Sequence, residues 1–168
     1  SQFVGTKIYI PSETDLEIFD TTNNTGTTIT NFFNESRARP TSQLVGTKIY
    51  IPQHNGKALE IIDTTNNTVT TIANFFNASR HRYTSQLVGT KIYITSGTAL
   101  EIIDTTNNTV TTYDNFFNAS RSRYTSQPVD TKIYIPEYNG TALDIIDTTT
   151  KNTLPVRNNT ETQRRQVS

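Results

Sequence analysis

Apolar residues in this chain come in short strings such as K-I-Y-I and L-E-I-I, set between longer stretches of Thr, Asn, Asp and Ser. Strings of this length suit thin strands rather than helices, and within each unit apolar and polar positions alternate at period two. In residues 84–125 the pattern predicts a strand at 84–88, a hairpin turn at Gly89-Thr90 and a second strand at 91–94. A small-residue loop at 95–98 leads to a third strand at 100–104. Thr105-Thr106-Asn107-Asn108 is turn chemistry, because short polar side chains bond nearby backbone and tolerate left-handed geometry. A fourth strand at 109–113 follows, and 114–123 connects to the next round.

That round is a repeat. S-Q-[FLP]-V-[GD]-T-K-I-Y-I begins at Ser1, Ser42, Ser85 and Ser126, offsets of 41, 43 and 41 residues. A second block, L-[ED]-I-[FI]-D-T-T, begins at Leu16, Leu59, Leu100 and Leu143. A period of this size marks units that cannot bury their own apolar faces and stack on copies of themselves. Four short antiparallel strands per unit describe the blade of a β-propeller. The predicted fold class is therefore all-β: a β-propeller or propeller-like array of four four-stranded antiparallel repeats of about 42 residues. The repeats 1–41, 42–84, 85–125 and 126–157 form one domain, and 158–168 is expected to be a polar tail. The fourth copy decays after Asp147, where Pro155 removes a ladder donor and no F-F-N string appears. Four units either close alone as a small ring, form half of an eight-bladed dimer or belong to an open array.

K-I-Y-I, L-E-I-I-D and N-N-T-V-T-T-I together resemble the repeat of the YVTN-type surface-layer propellers. The run from Arg82 to Tyr93 also resembles a kelch blade, and both resemblances imply the propeller fold over about residues 1–157. The kelch Gly-Gly pair after the second strand is missing, and Val69 and Val110 stand where kelch carries Trp, so no kelch partner-binding residue transfers.

Fifteen basic and fifteen acidic side chains cancel, which leaves no global field to attract nucleic acid. No apolar run reaches the ~18 residues of a membrane helix, so no membrane insertion is expected. No signal peptide stands at Ser1, and a chain beginning there without Met reads as processed or excised. The absence of Cys removes disulfides, thiol nucleophiles and thiolate metal sites.

Candidate chemistry is scarce because the polar residues recur in register. Lys7, Lys48, Lys91 and Lys132, and Asp20, Asp63, Asp104 and Asp147, each occur once per copy, as turn caps and solvated or ion-paired lysines would. Glu17, Glu60, Glu101 and Asp144 are expected to alternate outward on the third strand, the alternative being a carboxylate ring about a propeller axis. Tyr9, Tyr50, Tyr93 and Tyr134 read as inter-blade core rather than a sugar-stacking surface. His54 and His81 lie in different loop types and lack a second ligand at metal spacing. No nucleophile elbow, phosphate loop or zinc motif occurs, so neither catalysis, a cofactor nor a metal is expected.

Two surface features remain. N-x-[ST] sequons sit at Asn23, Asn34, Asn66, Asn77, Asn107, Asn118, Asn139 and Asn158, paired at a spacing of 11 residues in three copies. They are glycan sites if the chain traverses a eukaryotic secretory pathway and turn residues otherwise. The N-F-F-N string places adjacent Phe residues in each connection. One plugs the gap between blades, while Phe33, Phe76 and Phe117 are candidates for an adhesive strip. The pairs Arg37/Arg39, Arg80/Arg82 and Arg121/Arg123 follow, either binding carboxylates on the next blade or presenting a basic arc. These features point to a non-catalytic extracellular or surface scaffold, secreted or at the cell surface, that binds proteins or glycans. The rivals are a structural protein self-associating through strand edges and Phe strips, and a fragment of a larger propeller enzyme.

Overall fold

The structure, a computed structural model, describes residues 1–34, 41–79, 84–117, 126–136, 142–150 and 152–157, the side chains of 142 and of 152–157 excepted. Among the described residues sixteen strands form four separate sheets, each a simple antiparallel meander. The first sheet holds β1 (Gln2–Val4), β2 (Lys7–Ser12), β3 (Asp15–Asp20) and β4 (Thr25–Ile29). The second holds β5 (Gln43–Val45), β6 (Lys48–Pro52), β7 (Leu59–Asp63) and β8 (Thr68–Ile72). In the third are β9 (Thr84–Val88), β10 (Lys91–Ser96), β11 (Ala99–Asp104) and β12 (Thr109–Tyr113). The last comprises β13 (Gln127–Val129), β14 (Lys132–Pro136), β15 (Ala142–Asp147) and β16 (Asn152–Arg157).

Each sheet begins with a tight turn whose leading residue has positive φ, supplied by Gly5, Gly46 and Gly89 at 59 to 61° and by Asp130 at 53°. Glycine meets no Cβ penalty there, whereas Asp130 does. The turn sets a register that repeats in every sheet: Lys7, Lys48, Lys91 and Lys132 lie opposite Asp20, Asp63, Asp104 and Asp147.

The sheets stack face to face through three equivalent joints. Tyr9, Leu16, Ile18 and Phe33 of the first sheet and its exit pack on Ile49, Ile51 and Ile62 of the second. Tyr50, Leu59, Ile61 and Phe76 meet Ile92, Ile94 and Ile103 in the same way, and Tyr93, Leu100, Ile102 and Phe117 meet Ile133, Ile135 and Ile146. Every sheet thus has a leading face rich in Ile and a trailing face of Tyr, Leu, Ile and Phe. Because an inner sheet is covered on both sides, its two middle strands are buried almost throughout, and period two survives only on the fourth strand. First strands of successive sheets touch, β5 with β9 and β9 with β13, so the stack fans outward from them and the fourth strands form the rim.

One element departs from the sequence reading. The expected loop at 95–98 shrinks to Gly97-Thr98, since Gly97 takes φ 59° and lets Ser96 pair with Ala99. The fourth copy, though its sequence decays after Asp147, keeps the expected fourth strand: β16 pairs with β15 over six positions, including Pro155 opposite Asp144. β16 is an edge strand, where a missing N–H need not cost a ladder bond. Residues 158–168, the expected tail, lie outside the described residues.

Candidate functional site

The polar surface is organised around the turn between the third and fourth strands. In each copy the Asp carboxylate accepts from the backbone N–H of the residue two positions on, at 2.9–3.0 Å, and from that residue's hydroxyl. Thr22, Thr65, Thr106 and Thr149 are those donors. The Thr hydroxyls hold Asp20, Asp63, Asp104 and Asp147 below the ordinary carboxylate range, aided by the backbone N–H groups and by the opposing Lys. Lys91 Nζ stands 4.0 Å from Asp104 Oδ2. Between them, Thr21, Thr64, Thr105 and Thr148 donate N–H and hydroxyl to Thr6, Thr47, Thr90 and Thr131 carbonyls, tying one turn to the other.

The Asn-Asn pair divides its work. Asn23, Asn66 and Asn107 accept at Oδ1 from the N–H and hydroxyl of Thr25, Thr68 and Thr109, the hydroxyl contact being 2.7 Å in each. Their side-chain Nδ2 takes no part in these bonds, and all three residues are exposed. Asn24, Asn67 and Asn108 adopt left-handed φ of 55 to 56°. From the preceding sheet, Tyr9 donates its hydroxyl to Asn67 Oδ1 at 3.1 Å and Tyr50 to Asn108 Oδ1 at 3.3 Å. Tyr9, Tyr50 and Tyr93 are buried at the joints, and that burial raises their phenol pKa.

A second polar link was missed from the sequence. Gln2, Gln43 and Gln86 donate Nε2 to the carbonyls of Ser42, Ser85 and Ser126 in the next copy, at 2.5–2.7 Å. The unvarying Ser-Gln dipeptide at the head of each repeat was the available signal.

The structure corrects two expectations. Phe33, Phe76 and Phe117 form no adhesive strip: they are 1–3 % exposed, plugging the three joints. Their neighbours Phe32, Phe75 and Phe116 are half-buried and stand edge-on to them at 4.8–5.0 Å. Nor do the third-strand acids alternate outward. Glu60, Glu101 and Asp144 are buried on leading faces covered by the preceding sheet, and only Glu17, whose sheet has none before it, is exposed. Third strands also stand away from the crowded first strands, so these carboxylates do not meet in a ring.

Of the sequons, Asn34 and Asn77 are exposed beside the buried Phe, while Asn118, Asn139 and Asn158 lie outside the described residues. Arg37, Arg39, Arg80, Arg82, Arg121, Arg123 and His81 lie outside them as well. An open polar cleft of about 470 Å³ sits where the first sheet's exit meets the β6–β7 loop, bordered by Asn34, Gln53, Lys57 and Asn74. Among the described residues no three His, Asp or Glu side chains cluster at metal-binding distance, and no helix is long and apolar enough to cross a membrane.

No protein-family profile matches the sequence, and no curated protein is significantly similar to it. Solved structures are similar in fold. One is YjhT, at TM-score 0.73 and 12 % identity over 92 % of this chain and 62 % of that one. AztD from Citrobacter koseri gives 0.67 and 14 % over 91 % and 45 %. The WD40 repeats of RRP9 give 0.64 and 8 % over 90 % and 48 %. The chain is a β-propeller-type array of blades, and it spans about half to three-fifths of the length of these structures.

Proposed function

We propose that the chain is a non-catalytic scaffold of the secretory route or cell surface, whose blade rims hold other proteins or glycans. The observation that carries this reading is the fourfold turn bracket. Each repeated Asp accepts from its own turn, and the paired Asn and Thr do so wherever that turn repeats intact. Chemistry needs an asymmetric set of groups brought together once, and a scaffold needs rigid tips repeated along a rim. The WD40-type neighbours support protein partners by analogy of fold. The YVTN-type and kelch-type resemblance of the repeat belongs to the same reading.

Glycan attachment fits the rim turns, Asn66 and Asn107 among them. Both are exposed at rim turns, and the sequon Thr hydroxyl engages Oδ1 while leaving Nδ2 outside the bracket. The test is intact-mass measurement of native-source material before and after glycosidase, with site mapping. Added mass at these two sites is expected. A bare polypeptide removes the chain from the glycosylating pathway and leaves the sequons as turn residues alone.

A second reading, a portion of a larger propeller enzyme, is favoured by coverage alone: the chain matches 47 % of a chain in the hydrazine synthase of Kuenenia stuttgartiensis at TM-score 0.59. An intact parent with a reaction centre outside these four repeats would establish it.

A further inference from the structure

The fourth strand of each sheet is an edge. Among the described residues β4, β8, β12 and β16 pair on one side only, and they line the rim. The backbone N–H and C=O groups that point outward from such an edge are a template for any extended chain. Proteins blunt edges with charges, with Pro, with bulges or by covering them. β4 (T-G-T-T-I), β8 (T-V-T-T-I) and β12 (T-V-T-T-Y) contain no charged residue and no Pro. Each also pairs with its inner neighbour residue for residue, without a bulge. Thr and Val favour the extended conformation, so these three edges are ready to pair.

A sequon stands at both ends of such a strand. Asn23 lies just before β4 and Asn34 just after it, and Asn66 and Asn77 hold the same places about β8. All four are exposed. Asn107 precedes β12 in the same way, and Asn118 follows it in sequence. The spacing of 11 residues is thus the length of one edge strand with its flanks. The sequon Thr of the leading Asn is moreover the first residue of the edge: Thr25 begins β4, Thr68 begins β8 and Thr109 begins β12. Its hydroxyl bond to Asn Oδ1, 2.7 Å in each copy, fixes the asparagine at the head of the strand.

The fourth sheet departs from this pattern in two respects together. Its turn reads Thr148-Thr149-Thr150-Lys151, so no sequon precedes β16, although Asn158 follows it. β16 itself contains Pro155 and ends on Arg157, two of the devices that blunt an edge. The edge without a leading sequon is the edge with its own protection.

We propose that N-linked glycans at the ends of β4, β8 and β12 cover these edges, and that excluding an added strand is what the paired sequons do. The inference rests on the secretory reading above and gives the glycans of that reading a task. A glycan on Asn66 leaves from Nδ2, outside the turn bracket, and its hydrated bulk stands beside the outer side of β8 without entering the packed faces.

The test compares native-source material with the same material trimmed by an endoglycosidase to one sugar per site, using sedimentation velocity and infrared spectroscopy. Trimming is expected to turn a species of fixed size into one whose mass grows with concentration, with a new amide band of intermolecular β-structure. The triple variant Thr27→Lys/Thr70→Lys/Thr111→Lys changes exposed positions in the same register on the three strands. It is expected to keep its size after trimming, with an unchanged far-UV spectrum. A trimmed wild-type chain that keeps its size overturns the proposal and leaves the secretory reading standing. Growth that the three lysines do not reduce overturns it as well, because association then runs through a surface other than the rim. Material that carries no sugar before trimming removes the secretory reading and the proposal together.

Discussion

Ile92→Ala tests the stacking of sheets most directly. Ile92 is 0 % exposed on the leading face of the third sheet, between Leu87 and Ile103 on the flanking strands and against Tyr50, Leu59 and Phe76 of the second sheet. Truncation removes three carbon groups, about 2.4 kcal/mol of transfer free energy at about 0.8 kcal/mol each. The hole lies between two hydrogen-bonded sheets that collapse little, so the cavity contribution brings the loss to roughly 3–4 kcal/mol, inside the usual 2–5 for such truncations. For a chain of this size that lowers Tm by roughly 6–16 °C. Urea unfolding followed by far-UV circular dichroism gives the free energy, and an unchanged m-value shows that packing rather than the denatured state was altered. Thr111→Ala, on an exposed position of β12, is the control and stays within about 0.5 kcal/mol. A loss below about 1 kcal/mol at Ile92 with m unchanged would refute the face-to-face stack.

Two further outcomes follow from the turns. The four bracketed Asp carboxylates have folded pKa values below the ordinary 3.8, so their contribution is full above that value and is lost as pH falls through the lower folded pKa. An acid melting series is therefore expected to lose stability below about pH 4, less steeply in Asp63→Asn/Asp104→Asn, and an unchanged slope would exclude the bracket as its source. Asp130 holds φ 53° where the other three copies have Gly, so Asp130→Gly is expected to gain about 1 kcal/mol in urea unfolding, and no gain would show that the aspartate is unstrained there.

Much of the fold was legible because strand chemistry is local. The predicted bounds 84–88 and 109–113 coincide with β9 and β12, and the Ile and Tyr residues of K-I-Y-I are core as expected wherever a neighbouring sheet covers them. What the sequence concealed depends on what lies across a joint. Glu60 and Glu101 look like outward residues on an alternating strand, but a strand covered on both faces has no outward side. Phe76 looks exposed because it sits in a polar connection, yet its backbone N–H is held 2.9 Å from the Lys57 carbonyl, which turns the ring into the gap. Gln43 appeared as one polar residue among many, although its partner Ser85 is 42 positions away. In each case the missing information was the neighbour rather than the residue.

The unlike faces of each blade have a consequence for how such a chain can change. A unit whose front accepts only another unit's back cannot pair symmetrically with itself, so the repeats take one orientation and any error in order is harmless as long as direction is kept. Gaining or losing one whole copy leaves every surviving contact chemically the same, since each blade recognises the type of its neighbour and not its number. Copy number is then limited by whether the arc meets itself, a property that belongs to no single residue. Point changes at a joint test one contact, but unequal crossing-over between these near-identical stretches alters only the circumference.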